Sequence, residues 1–127
     1  MALQLAAANW HTHKDASAWA DVIRARAPGA VTQVDFVEDM ARYGLHLHLG
    51  ADVEKLSVEP LRESRFNPEY DEAIADELGD DFDPHALWIT KREHWPAVRD
   101  ALARHGAVAV PQGSPYEGRI LFRVRPR

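Results

Sequence analysis

The chain has 127 residues, 46% hydrophobic and 28% charged, with a formal net charge of −5 and no cysteine. That length suits one domain, 1–127, with its own core, and the composition predicts a soluble globular chain rather than a disordered one. The missing cysteines exclude a disulfide scaffold, a thiolate metal site and a cysteine nucleophile. An acidic balance argues against a nucleic-acid binder, which concentrates Lys and Arg.

In chain order, residues 2–8 read as a short edge strand. The apolar opening from Met1 to Ala8 lacks the basic flank and the length of a signal segment, and no later stretch approaches a membrane span. No membrane association and a cytoplasmic location are therefore expected. Asp15 or Ser17 can cap a helix with Trp19, Val22 and Ile23 on one face, ended by Pro28-Gly29. Ala30 to Glu38 is rich in β-branched residues and predicts a strand. Tyr43 to Gly50 alternates Leu45, Leu47 and Leu49 with His46 and His48, a period of two that predicts a second strand in a hairpin with the first. Val53 to Glu59 extends the sheet, and Pro60 stops it.

Asn67-Pro68 predicts the start of a second helix, with Tyr70, Ala73, Ile74 and Leu78 on its apolar stripe and Gly79 at its end. Glu77 falls among those apolar positions and is expected at a frayed last turn, reaching water. Ala86 to Thr90 predicts a buried strand. Trp95, Val98 and Leu102 mark a third helix with Pro96 near its start and Gly106 beyond its end. Ala107–Val110 and Arg119–Arg125 predict a terminal hairpin in which Ile120, Phe122 and Val124 face the core. The fold class expected is α+β, with a mainly antiparallel sheet and about three helices. The expected core is Trp19, Val22, Leu45, Leu47, Ile74, Leu78, Ile89, Val98, Leu102 and Phe122.

Charge is segregated. Glu69, Asp71, Glu72, Asp76, Glu77, Asp80, Asp81 and Asp83 form a block of −8 without a basic residue, flanked by −2 before it and +5 after it. Such a block can attract a basic partner far better than the net charge suggests. Asp80-Asp81-Phe82-Asp83 also offers oxygen ligands for calcium, but without the twelve-residue spacing of an EF-hand loop. Two His-X-His pairs, His11/His13 and His46/His48, would each present two imidazoles on one side of a strand. All four imidazoles, or three with a carboxylate such as Asp35 or Asp39, would suit zinc or another borderline divalent ion. The simpler reading places His46 and His48 on the polar face of an amphipathic strand, with no cofactor. No phosphate loop, nucleophile elbow or His-Glu-X-X-His helix is present, and Ser17, Ser57, Ser64 and Ser114 lack a nucleophile setting. Arg119, Arg123, Arg125 and Arg127 make a basic stripe with only one aromatic residue in the strand and no interleaved stacking platform, so nucleic acid is not expected as a partner. Trp10 is the tryptophan best placed to anchor an interface.

A small acidic chain without catalytic motifs is similar in general character to bacterial immunity proteins, antitoxins and phage-encoded inhibitors, although no family motif is present. That character implies a protein partner with a basic surface, such as a nuclease-like toxin or effector. The alternatives are a small metal-dependent enzyme built on the histidine pairs and a non-inhibitory adaptor.

Overall fold

The strand Gln33–Val37 (β1) runs Val34-Asp35-Phe36-Val37 with all four side chains buried, which requires pairing on both edges and cover on both faces. The computed structural model, which describes residues 15–60, 70–79 and 82–127, supplies both. Strands Asp52–Ser57 (β2) and Ala86–Lys91 (β4) flank β1, each parallel to it. The short strand Glu72–Ala73 (β3) joins β2 in parallel at Leu56 and Ser57. On the other side Arg119–Pro126 (β6) pairs antiparallel with β4, and Ala107–Pro111 (β5) pairs antiparallel with β6. The six strands lie in the order β3-β2-β1-β4-β6-β5. The α+β expectation stands, but the sheet is mixed rather than mainly antiparallel, with β1 to β4 all parallel.

Parallel neighbours need crossovers, and short helices provide them. A helix over residues 15–26 (α1) precedes β1. Leu45–Leu49 (α2) lies between β1 and β2, Ile74–Glu77 (α3) between β3 and β4, and Trp95–Arg104 (α4) between β4 and β5. The segment expected to be the second strand of a hairpin is therefore a helix. Five residues of Leu-His-Leu-His-Leu satisfy a period of two and a helical face equally, since Leu45 and Leu49 are four apart. Gly50 ends the helix in the left-handed region at φ 67°, donating its N–H to the His46 carbonyl at 2.9 Å. Leu45 is buried, whereas Leu47, expected in the core, is 81% exposed on the opposite side.

The helix expected from Asn67-Pro68 is a second correction. Residues 67–69 lie outside the described set, Glu72 and Ala73 are in β3, and the helix begins only at Ile74. Asp71 is drawn to the β2 edge, donating its N–H to the Lys55 carbonyl at 2.8 Å and accepting the Lys55 N–H on Oδ2 at 2.7 Å. Asp76 then caps α3 by accepting the Ala73 N–H at 3.1 Å.

Each face of the sheet carries its own core. Trp19, Ala20 and Ile23 of α1 and Leu45 of α2 cover Val34, Phe36, Leu87, Ile89 and Leu121. On the other face Ile74, Val98 and Leu102 cover Val37, Leu56, Trp88, Phe122 and Val124. Two-sided cover explains why Leu121 and Phe122, neighbours in β6, are both buried. Of the expected core, Val22 and Leu78 sit half-buried at the margins, and Leu47 is outside it. Among the described residues no helix is long and apolar enough to cross a membrane.

Leu102 is fully buried and Leu47 exposed, so their truncations separate this packing from the expected one. Leu102→Ala should cost about 2–5 kcal/mol in urea unfolding, and Leu47→Ala no more than about 0.5 kcal/mol. Comparable losses at the two positions would refute the helical assignment of α2.

Candidate functional site: a carboxylate cluster beside the sheet edge

Residues paired across adjacent strands share a face, and the register sets Asp35 of β1 beside Glu54 of β2. Gln33, two residues before Asp35, points the same way. The last residue of α3, Glu77, folds down onto this group. The Gln33 carboxamide Nε2 donates to Asp35 Oδ1 at 2.6 Å, to Glu77 Oε1 at 2.6 Å and toward Glu54 Oε2 at 3.4 Å. One oxygen each from Asp35, Glu54 and Glu77 lie within 4.8 Å of one another. Asp35 is fully buried and Glu77 is 7% exposed, while Glu54 and Glu72 are half-buried at the cluster's outer side. Asp35 Oδ2 is buried without a hydrogen-bond partner.

Packing carboxylates together away from water disfavours their charged forms. Burial pushes the Asp35 carboxyl up to about 8, with the charges of Glu54 and Glu72 adding to the effect and the Gln33 hydrogen bond opposing it. Burial likewise pushes Glu77 up to about 9, reinforced by the charge of Asp35. Glu54 is raised by burial and then by Glu72. Among the described residues no ion pair reaches Asp35, Glu54 or Glu77. The cluster can therefore hold protons at neutral pH or surround a cation.

The acidic block of the sequence is divided between this interior and the surface. Glu77, expected in water, is instead buried against β1, because α3 starts later than expected and its last turn lies over the sheet. Glu72 borders the cluster from β3. Asp71 and Asp76 are exposed, although each also binds a backbone N–H. Asp83 accepts a hydrogen bond from the Thr32 hydroxyl and another from the His85 N–H at 2.8 Å, which hold its carboxyl below the usual carboxylate range. Its two oxygens are thus engaged within the fold rather than presented as an open calcium loop. Glu69, Asp80, Asp81, Trp10, His11 and His13 lie outside the described residues.

The histidine reading changes with α2. Two residues apart on a helix are about 200° apart around its axis, so His46 and His48 cannot face one ion together as they would on a strand. His46 Nδ1 lies 3.0 Å from the Ala51 carbonyl oxygen and is engaged locally. The basic stripe is also partly internal. Arg119 makes a bidentate pair with buried Asp39, at 3.1 and 3.2 Å, and Arg123 donates to the His85 carbonyl at 2.7 Å. Asp39, one of the two carboxylates considered beside the histidines, is therefore committed to arginine, while Asp35 belongs to the acidic cluster.

Beside the cluster a cleft of about 510 Å³ is lined by Tyr43, His46, Asp52, Val53, Glu54 and Asp71. Glu54 belongs to both cleft and cluster, so it connects solvent with the buried carboxylates. No protein-family model, curated protein or solved structure matches the chain.

The raised carboxyls make stability depend on pH. Both folded-state values lie above the unfolded range of about 4, so the folded chain keeps protons that the unfolded chain has released. Their contribution is complete below about pH 4 and is lost as pH rises through 8 to 9. In chelator, Tm should fall by roughly 5 °C or more from about pH 6 to about pH 9.5, and the Asp35→Asn, Glu77→Gln double variant should remove most of that fall. An equal slope in the variant would show that the cluster does not control it.

Proposed function

We propose that this domain docks a basic protein partner on its acidic edge and inhibits it, in the manner of an immunity protein, antitoxin or phage-type inhibitor of a nuclease-like toxin or effector. The observation that carries the reading is the composition of β2, β3 and α3. These elements hold Asp52, Glu54, Glu72, Asp76 and Glu77 against a single basic residue, Lys55, with Asp71 joined to the same edge. Asp52, Asp71 and Asp76 are exposed, and Glu54 and Glu72 are partly so. An edge of this kind repels nucleic acid and steers a cationic surface toward it, over about one Debye length of 8 Å at physiological ionic strength. Nuclease clefts are cationic because they bind phosphates, so an acidic edge is complementary to them. A metal-dependent enzyme built on His46 and His48 loses support from the helical geometry of α2.

Capture from a native lysate, followed by association kinetics on the captured protein, tests the proposal. Asp52→Lys with Glu72→Lys should slow association by roughly tenfold or more, and the wild-type rate should fall as salt rises. The partner's own activity should drop on mixing. Unchanged association by the double variant would remove the acidic edge as the docking surface. A bound partner that stays fully active would leave an adaptor rather than an inhibitor.

A further inference from the structure

We propose that Asp35, Glu54 and Glu77 form a binding site for a hard divalent cation of the Mg²⁺, Mn²⁺ or Ca²⁺ class, with the Gln33 carboxamide as a fourth oxygen donor. The proposal does not rest on partner docking, and either can fail without the other.

The spacing comes first. Cation–oxygen distances of about 2.0–2.6 Å let one ion bridge oxygens that are up to about 4–5 Å apart. The three carboxylate oxygens fall within that limit, at 4.8 Å or less from one another. The donors are all oxygen, with no imidazole or thiolate among them, which favours a hard cation over zinc or copper.

Asp35 Oδ2 is the second, separate observation. It is fully buried and has no hydrogen-bond partner, although its neighbour Oδ1 is bonded to Gln33. A buried acceptor left without a donor is destabilising, and more so when it is charged. An ion among the three carboxylates would satisfy it together with their accumulated charge.

Gln33 fits the same account. Its amide group lies 2.6 Å from both Asp35 and Glu77, and the two ends of a carboxamide are nearly isosteric. With the amide turned, its carbonyl oxygen occupies the same place and can face a cation. A lysine or arginine there would neutralise the carboxylates permanently, whereas a carboxamide can serve them with and without an ion. Glu54 provides the route of entry, since it also lines the cleft beside β2.

The test uses the full chain, stripped with chelator and dialysed, with MnCl₂, MgCl₂ and CaCl₂ as probes. Calorimetry and Mn²⁺ electron paramagnetic resonance should show saturable uptake of one equivalent, and Tm should rise with each ion that binds. Asp35→Asn and Glu54→Gln, both close in shape to the native residues, should weaken uptake at least tenfold. Asp100→Asn, on the exposed side of α4, should leave it unchanged. If Asp35→Asn fails to fold, Glu54→Gln decides, because its side chain is already half in solvent. Folded wild type that takes up none of the three ions at millimolar concentration overturns the proposal and leaves a proton-sharing cluster. Uptake that survives in Asp35→Asn and Glu54→Gln overturns it too, by placing the ion elsewhere.

Discussion

Two-sided pairing of β1 is the constraint on which the other elements depend. Because β2 and β4 both run parallel to β1, the chain must return to the same end of the sheet before each of them, and α2 and α3 lie in those returns. The helices cover both faces and bury every β1 side chain from Val34 to Val37. One of the four is Asp35. A carboxyl in that position must be neutral, hydrogen-bonded or matched by positive charge. Gln33 and Glu77 are the groups the fold brings to it, and neither carries positive charge.

The end of β1 shows the opposite solution. Asp39 is nearly as deeply buried, yet it receives both arms of Arg119 from β6, and Arg42 stands 3.8 Å away while stacking over Trp19. Between them Glu38 sits in the left-handed region at φ 50° and accepts hydrogen bonds from the Val58 N–H and the Tyr70 hydroxyl. Two acids on one short segment are therefore anchored by cationic or neutral donors. Of the three acids on this segment, Asp35 is the one that faces other acids, and that contrast makes its surroundings a candidate site.

Most strands were legible because their signals are local. The β-branched run at Gln33–Val37, the apolar run at Ala86–Lys91 and the terminal hairpin appear where composition and turn residues predict them. The α2 segment was not legible, since five alternating residues cannot distinguish a period of two from a four-residue helical repeat. What decided it was the parallel register of β1 and β2, a long-range fact. The site was visible only in part. Asp35 stands between the apolar Val34 and Phe36 in β1, and Glu77 stands on an otherwise apolar stripe. Each is an acid at a position patterned for burial, and the two are bonded to the same Gln33 amide. Nothing local marks Glu54, because a charged residue in an edge-side strand is unremarkable until register sets it beside Asp35.

The surface edge and the buried cluster share one electrostatic field. Glu72 raises both Asp35 and Glu54 by its charge and lies on the strand that also faces solvent. A basic partner or a cation near Glu72 would therefore ease ionisation of the interior carboxyls, and a cation inside would weaken the negative potential of the edge. By linkage the two kinds of positive ligand compete for one acidic region even without touching each other. Asp52, at the start of β2, acts on Glu54 but is absent from the leading influences on Asp35 and Glu77, so it couples to the buried carboxyls less than Glu72 does. A substitution at Glu72 alters edge and cluster together, and the difference between the two positions measures how strongly surface and interior are coupled.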